Sequence, residues 1–498
     1  MKILSALFLL LCPIVSNAQG YMARTDLNVQ GYPSVIPCPG PSCSGGGSPT
    51  GAGTVIAPSD FNIPVTRVTD FNTPTQNSGK SFLTNAGGSA ESNIFDISST
   101  RGYISDSGAG IHIISINSAV NPPRVSVLYG SYTLASCGGQ SPANFFFSFT
   151  NAKFGYASVH ASNGDPVVCS YDVSSASTGP TVGNGGVSQV FNLATCSSAL
   201  LGVGNTAYLD DVSVSADDQT FAVLASSTTG QGSSQYIVVW NRTNGCRVWN
   251  TSTGAITGAW GTTGTISITD RFLTHNARIS KDGNWVKVGR QSCTSGGCNS
   301  DSGIYAWQIA DAIVVVHRFS SGHQAIGYNH IVQNTTIPSQ QSMQIFPASS
   351  SSPSPQLWTN GRASYIPYEN HISWSNAVST DNNPVLTTST SGQFAAMHTW
   401  ENEIDAFTTD GGGIVYRFGH TFATTMSQFF ASANAIGSVS QDGKYFMWTT
   451  DWGGMLGSTS GSASCIVGTD CRADVFIMQL PIVASAPLTP TDLRASVN

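Results

Sequence analysis

Short apolar runs separated by polar turns recur along this chain, and several of them share one outline. "HNARISKDGNWVKV" from His275 is an apolar strand, a Ser-x-Asp-Gly turn and an aromatic strand, and "AIGSVSQDGKYFMW" from Ala435 repeats it. A weaker copy is "DVSVSADDQTFAVL" from Asp211, and "HISWSNAVSTDNNPVL" from His371 keeps the strand-turn outline. "NIFDISSTRGYISD" from Asn93 and "NFFFSFTNAKFGYAS" from Asn144 have the rhythm without the Asp-Gly. Alternation of apolar and polar positions with Gly and Asp at the turns predicts β-hairpins. Many units end in one more strand, such as "QYIVVWN" at 235 or "DVFIMQL" at 474.

The starts at 93, 144, 211, 275, 371 and 435 are spaced 51, 67, 64, 96 and 64 residues apart. Splitting the longest gap near His323 gives two steps of 48 and seven units. About four strands per unit of roughly 40–50 residues is the signature of a propeller blade. The expected fold is all-β, a propeller of seven four-stranded blades over residues 58–481. A stacked array of sandwiches and a β-helix are the competing architectures. Radial closure removes free sheet edges, so "VTRVTDF" at 65–71 is expected to complete a blade with "DVFIMQL".

Composition fits that reading and narrows the function. Of 498 residues, 52 are Gly, and charged residues make up 9%, against about 25% in an average soluble protein. Few helix-forming Lys and Glu remain, which disfavours bundles and coiled coils. A net charge of -7 offers no basic footprint for nucleic acid. Lys2, the apolar stretch "ILSALFLLLCPIV" and Ser16-Asn17-Ala18 form a signal-peptide pattern cut after Ala18. Its run of about 13 apolar residues is shorter than the roughly 20 of a membrane span. A secreted or periplasmic monomer is expected, with a signal peptide at 1–18, a flexible Gly/Ser/Pro-rich leader at 19–57 and a tail at 482–498.

Eleven cysteines, ten after removal of Cys12, read as disulfides in an oxidising compartment rather than as a zinc site, since no Cys-x-x-Cys occurs. Local staples are expected for Cys38 with Cys43, Cys293 with Cys298, and Cys465 with Cys471. The pairing of Cys137, Cys169, Cys196 and Cys246 stays open among three arrangements.

The strand–Ser-x-Asp-Gly–strand unit resembles the repeat of bacterial periplasmic propellers related to the Tol-system propeller protein. It is also similar to propeller-type polysaccharide lyases, including the oligogalacturonate lyases. That resemblance implies a glycan or polysaccharide partner at the central funnel, and channel-end His holding a metal that assists β-elimination. A non-catalytic secreted or cell-surface binding propeller is the alternative. Here His275 is followed by Ser280-Lys281-Asp282 and His371 by Ser375-Asn376, where the lyase pattern has Ser-Pro-Asp.

Seven of nine His lie between 275 and 420. His275 and His371 open the first strands of their units, where equivalent strands of different blades converge on the channel. His323 or His330, and His420, are candidates to join them. His275, His323, His371 and His420 are thus the expected ligands of a divalent cation (Mn, Ca or Zn), neutral imidazole suiting a borderline ion. The competing role for each is a turn cap or a bond to a neighbouring blade. His330 and Arg417 are the catalytic candidates, Arg417 having a guanidinium that matches a uronate carboxylate or an inter-blade ion pair. Glu401 and Glu403, two apart, share a strand face and suit acid/base or substrate contact, or else a solvated edge. Trp374, with Trp400 and Trp452, offers a sugar-stacking face or blade core. Asp282 and Asp442 read as turn formers.

Overall fold

The computed structural model describes residues 19–28, 30, 32–33, 35–43, 48–58, 60–73, 81–84, 91–106, 111–127, 142–159, 166–174, 186–196, 208–226, 235–266, 272–293, 302–318, 320–337, 340–352, 357–358, 369–390, 399–423, 435–465 and 470–483. The expected signal peptide and most of the tail lie outside them. The described strands form seven antiparallel sheets arranged as a seven-bladed propeller. Their innermost strands are, in blade order, Phe82–Leu83, Pro142–Phe147, Tyr208–Val214, Phe272–Ile279, Ser320–Ile326, Glu369–Ser373 and Gly437–Val439. Six of the seven unit starts read from the pattern fall on or beside these strands. The seventh, at Asn93, adjoins Phe95, which bridges Gly102 on the second strand of blade 1. Five sheets have four strands. Blade 3 carries two extra outer strands, Ala255–Gly258 and Gly264–Thr265, and the closing blade has five.

The turn motif works through its serine. Ser280 Oγ accepts from the Trp285 amide (2.9 Å) and Ser440 Oγ from the Tyr445 amide (2.9 Å), while each hydroxyl donates to Asp282 or Asp442. Gly283 and Gly443 sit at φ +75° and +70°, a left-handed conformation that costs other residues about 1–2 kcal/mol. In blade 3, Asp218 takes that position at φ 57°. Adjacent inner strands are tied to each other as well, Ile279 N to Ser213 Oγ (2.8 Å) and Val439 N to Ser373 Oγ (3.1 Å). Aromatic and β-branched side chains fill the spaces between blades, as where Trp249, Phe272, Tyr305 and Trp307 meet between blades 3 and 4.

Closure follows the expected pairing: Val65, Thr66 and Arg67 lie opposite Met478, Ile477 and Phe476. Arg67 is fully buried there, bonding Asp474 and the carbonyls of Thr69, Pro39, Ser48 and Thr50. Arg472 donates to the same Asp474 oxygen at 2.8 Å. In its described residues the leader makes specific contacts with the propeller. Tyr21 is buried against Tyr416 and Phe418, and Trp452 Nε1 donates to Pro37 O. Gly and Pro make poor helices and strands, but their carbonyls are free to accept from buried donors.

Disulfides join Cys38 to Cys43 and Cys465 to Cys471, as the spacing predicts. A third joins Cys196, just past the outer strand of blade 2, to Cys246 in the fourth strand of blade 3. It staples neighbouring blades. Cys169 is disulfide-bonded too. Cys298 and Cys137 lie outside the described residues. No helix among the described residues is long and apolar enough to cross a membrane.

Candidate functional site

Inner strands and the turns that follow them line a small, partly open cavity of about 20 Å³ around the propeller axis. Phe146 and Phe149 come from blade 2, Ser213 and Val214 from blade 3, Arg278, Ile279 and Lys281 from blade 4, and Ala325 and Ile326 from blade 5. Trp374 and Ser375 complete the wall from blade 6, and Glu91 arrives from the segment leading into blade 1. Trp374 is buried, its indole N–H held by Asn383 O at 2.8 Å.

Glu91 reaches across the axis to blade 4. Its carboxylate contacts the Lys287 ammonium, and the Arg278 guanidinium lies 3.6 Å away. Arg278 also pairs with Asp211 of blade 3, whose second oxygen accepts from the Ala277 amide at 3.0 Å. Burial opposes the charge on Arg278, but Asp211 and Glu91 outweigh it and raise its pKa. For Lys287 burial wins over Glu91, and its pKa falls. His275 stands in the same field, and burial lowers its pKa despite Asp211.

Lys281 differs from these cations. Its ammonium lies 4.7 Å from the centroid of the Phe149 ring, and among the described residues no carboxylate is within ion-pair distance of it. Burial pulls its pKa down to about 8, with Asp381 and Glu91 opposing from further off. Its backbone is pinned on both sides: its N–H donates to Gly327 O of blade 5 (2.9 Å), and its carbonyl accepts from Ala216 N of blade 3 (2.8 Å).

The sequence-predicted set is dispersed. His275 and His371 are on the innermost strands of blades 4 and 6, and burial brings His371 down to about 4. His323 is on the innermost strand of blade 5, its side chain outside the description. His330 opens the second strand of blade 5 and bonds Asp381 through Nδ1 at 3.0 Å. His420 and Arg417 lie on the outermost strand of blade 6, far out along the blade from the inner-strand positions the pattern suggested.

At that outer edge Arg417 makes a bidentate pair with Glu403 (2.7 and 2.6 Å) and holds Asp26 of the leader at 3.0 Å. Glu401, in the turn before Glu403, is buried rather than solvated, as is Glu403. Asp405, in register with Arg417, is fully buried. Burial and the neighbouring Glu403 push its pKa well above the carboxylate range. His420 is edged by Tyr32 and Phe61, both 5.1 Å away. Trp400 and Trp452 belong to the core.

Among the described residues, no three His, Cys, Asp or Glu come together to hold a metal ion. The axial charge cluster has no sequence motif.

No protein-family model matches the chain, and no curated protein matches it. Among solved structures it is similar to TolB from Acinetobacter baumannii, at 14% identity and a TM-score of 0.32, over 61% of this chain and 60% of that one. The chain thus spans about three fifths of the length of that TolB chain. It is also similar to a chain in a crystal structure titled Mitotic Checkpoint Complex, at 11% identity and a TM-score of 0.38, over 84% of this chain and 98% of that one. The propeller assignment rests on the strand pairing itself.

Proposed function

We propose that this is a carbohydrate-binding propeller whose axial cavity receives the end of an acidic glycan. The observation that carries the reading is the make-up of that cavity, where three aromatic side chains from blades 2 and 6 line the wall with serine hydroxyls and cationic groups of blade 4. Aromatic faces pack on the C–H faces of sugars, while hydroxyls and cations select hydroxyl and carboxylate groups. Arg278 and Lys281 line the cavity with Glu91 as the acid beside them, so cationic groups outnumber acids along its wall.

A catalytic version of the same reading makes this cavity the site of β-elimination from a uronate. Calorimetric titration with uronate and neutral oligosaccharides tests the binding. Acidic oligosaccharides are expected to bind, with at least a tenfold loss in Phe149→Ala. Absence of binding across the panel overturns the proposal. Growth of an unsaturated product during the titration separates the lyase from the binder.

A further inference from the structure

We propose that Glu403 and Asp405 hold one proton between them as a latch, which fixes the leader around Asp26 to the outer edge of blade 6 and releases it when that proton is lost. The two acids stand two apart on one strand and share its face, and both are buried. Arg417, opposite Asp405 in the register, donates from Nε and Nη2 to Glu403 at 2.7 and 2.6 Å. Its Nη1 turns to the leader and donates to Asp26 O at 2.9 Å and to Asp26 Oδ1 at 3.0 Å. Asp405 has no such donor. Among the described residues no N–H reaches either of its oxygens, and its hydrogen-bond neighbour is the Glu403 carboxylate. Two carboxyl groups bond each other only through a proton.

The groups packed around the pair keep their charge while that proton moves. Asp26 is held down to about 2 by its bond to Arg24, so it is ionised. His420, opposite Glu403, is brought down to about 4 by burial and is neutral above that. Tyr32, at the edge of His420, is pushed up by burial. Thr387 faces Asp405 from the second strand and carries no charge. Glu401 in the preceding turn and Asp60, 3.6 Å from His420, are further acids of this edge. Burial and Glu403 raise the pKa of Asp405, in agreement with a shared proton. An unfolded Asp loses its proton near pH 3.9 and the folded one at higher pH, so the latch holds in acid and fails as pH rises through the folded value. Ionised, Asp405 competes for the guanidinium opposite it, and Nη1 is the arm not already committed to Glu403. Turning that arm inward breaks both bonds to Asp26. The device lies at the outer edge of blade 6 and does not depend on a ligand in the axial cavity.

The experiment titrates the whole protein from about pH 5 to about pH 9. Infrared difference spectroscopy follows the carbonyl stretch of protonated carboxyl groups. Hydrogen exchange, expressed as protection relative to the free peptide, follows the Arg417 amide, which donates to Arg24 O of the leader at 2.8 Å. A protonated-carboxyl band is expected to persist at about pH 6, where ordinary carboxyl groups are ionised, and to be lost at higher pH. Protection of Arg417 should fall at least about tenfold over the same interval, while the Tyr445 amide in the blade 7 turn keeps its protection. Asp405→Asn, which keeps a donor toward Glu403 and has no charge to gain, should lack the band and hold the leader at every pH. Four results overturn the proposal: no band in the wild type at about pH 6, loss of the band with Arg417 protection unchanged, a band and a protection that both stay level across the range, or the same fall in protection in Asp405→Asn. The first three are read on the wild-type chain and do not depend on the variant folding.

Discussion

Asp474 is the one carboxylate shared by Arg67 and Arg472, and all three side chains are fully buried. Asp474→Asn keeps the shape and removes the charge, leaving two guanidinium groups in the closing blade without their counter-ion. Breaking a buried pair from one side costs about 3–5 kcal/mol. About 340 described residues at about 2.1 cal/mol/K each give an unfolding entropy near 0.7 kcal/mol/K. The melting temperature should therefore fall by about 4–7 °C. Deleting residues 58–72 should do far more, since it removes the strand that pairs with Asp474–Gln479 and opens the ring. Differential scanning calorimetry measures both, with Asp410→Asn in an exposed turn as the control. A shift below about 1 °C for Asp474→Asn, or a deletion variant that melts like wild type, would refute the account of closure.

Two further outcomes follow from the packing. Removing the Cys196–Cys246 bridge, which closes a loop of 50 residues, should cost about 4 kcal/mol by the chain-entropy estimate, read as a lower urea midpoint in Cys196→Ser/Cys246→Ser. His317, His371 and His420 are each drawn down to about 4 by burial. The unfolded chain then binds more protons than the folded one between about pH 6.5 and 4. Stability is complete above that window and is lost as pH falls through it, by a few kcal/mol per histidine; a urea midpoint that stays level from pH 7.5 to 4.5 would contradict this.

What the sequence made legible was periodic and local. The Ser-x-Asp-Gly turn bonds within a few residues of itself, so blades 4 and 7 could be read from their turns, and the edge-pairing argument placed Val65–Arg67 against Asp474–Gln479. Radial position was not legible. Alternation tells which face of a strand is buried but not which of four strands it is, so His420 and Arg417 were expected at the channel and lie at the outer edge of blade 6. The axial cluster was invisible for another reason. Glu91, Asp211, Arg278 and Lys287 come from three blades and meet only when the ring closes. The composition of the leader gives no sign of the carbonyls of Pro39, Ser48 and Thr50 that Arg67 collects.

Hydrogen–deuterium exchange with and without a saturating acidic oligosaccharide tests most directly whether the ligand enters on the axis. Slowed exchange is predicted at the inner-strand ends and turns that surround the cavity, residues 148–153, 213–217, 279–284, 325–328 and 374–377. Outer strands such as Val415–His420 and Gly245–Asn250 should exchange as before. Protection confined to those outer strands or to the leader, with the axial turns unchanged, would contradict the account.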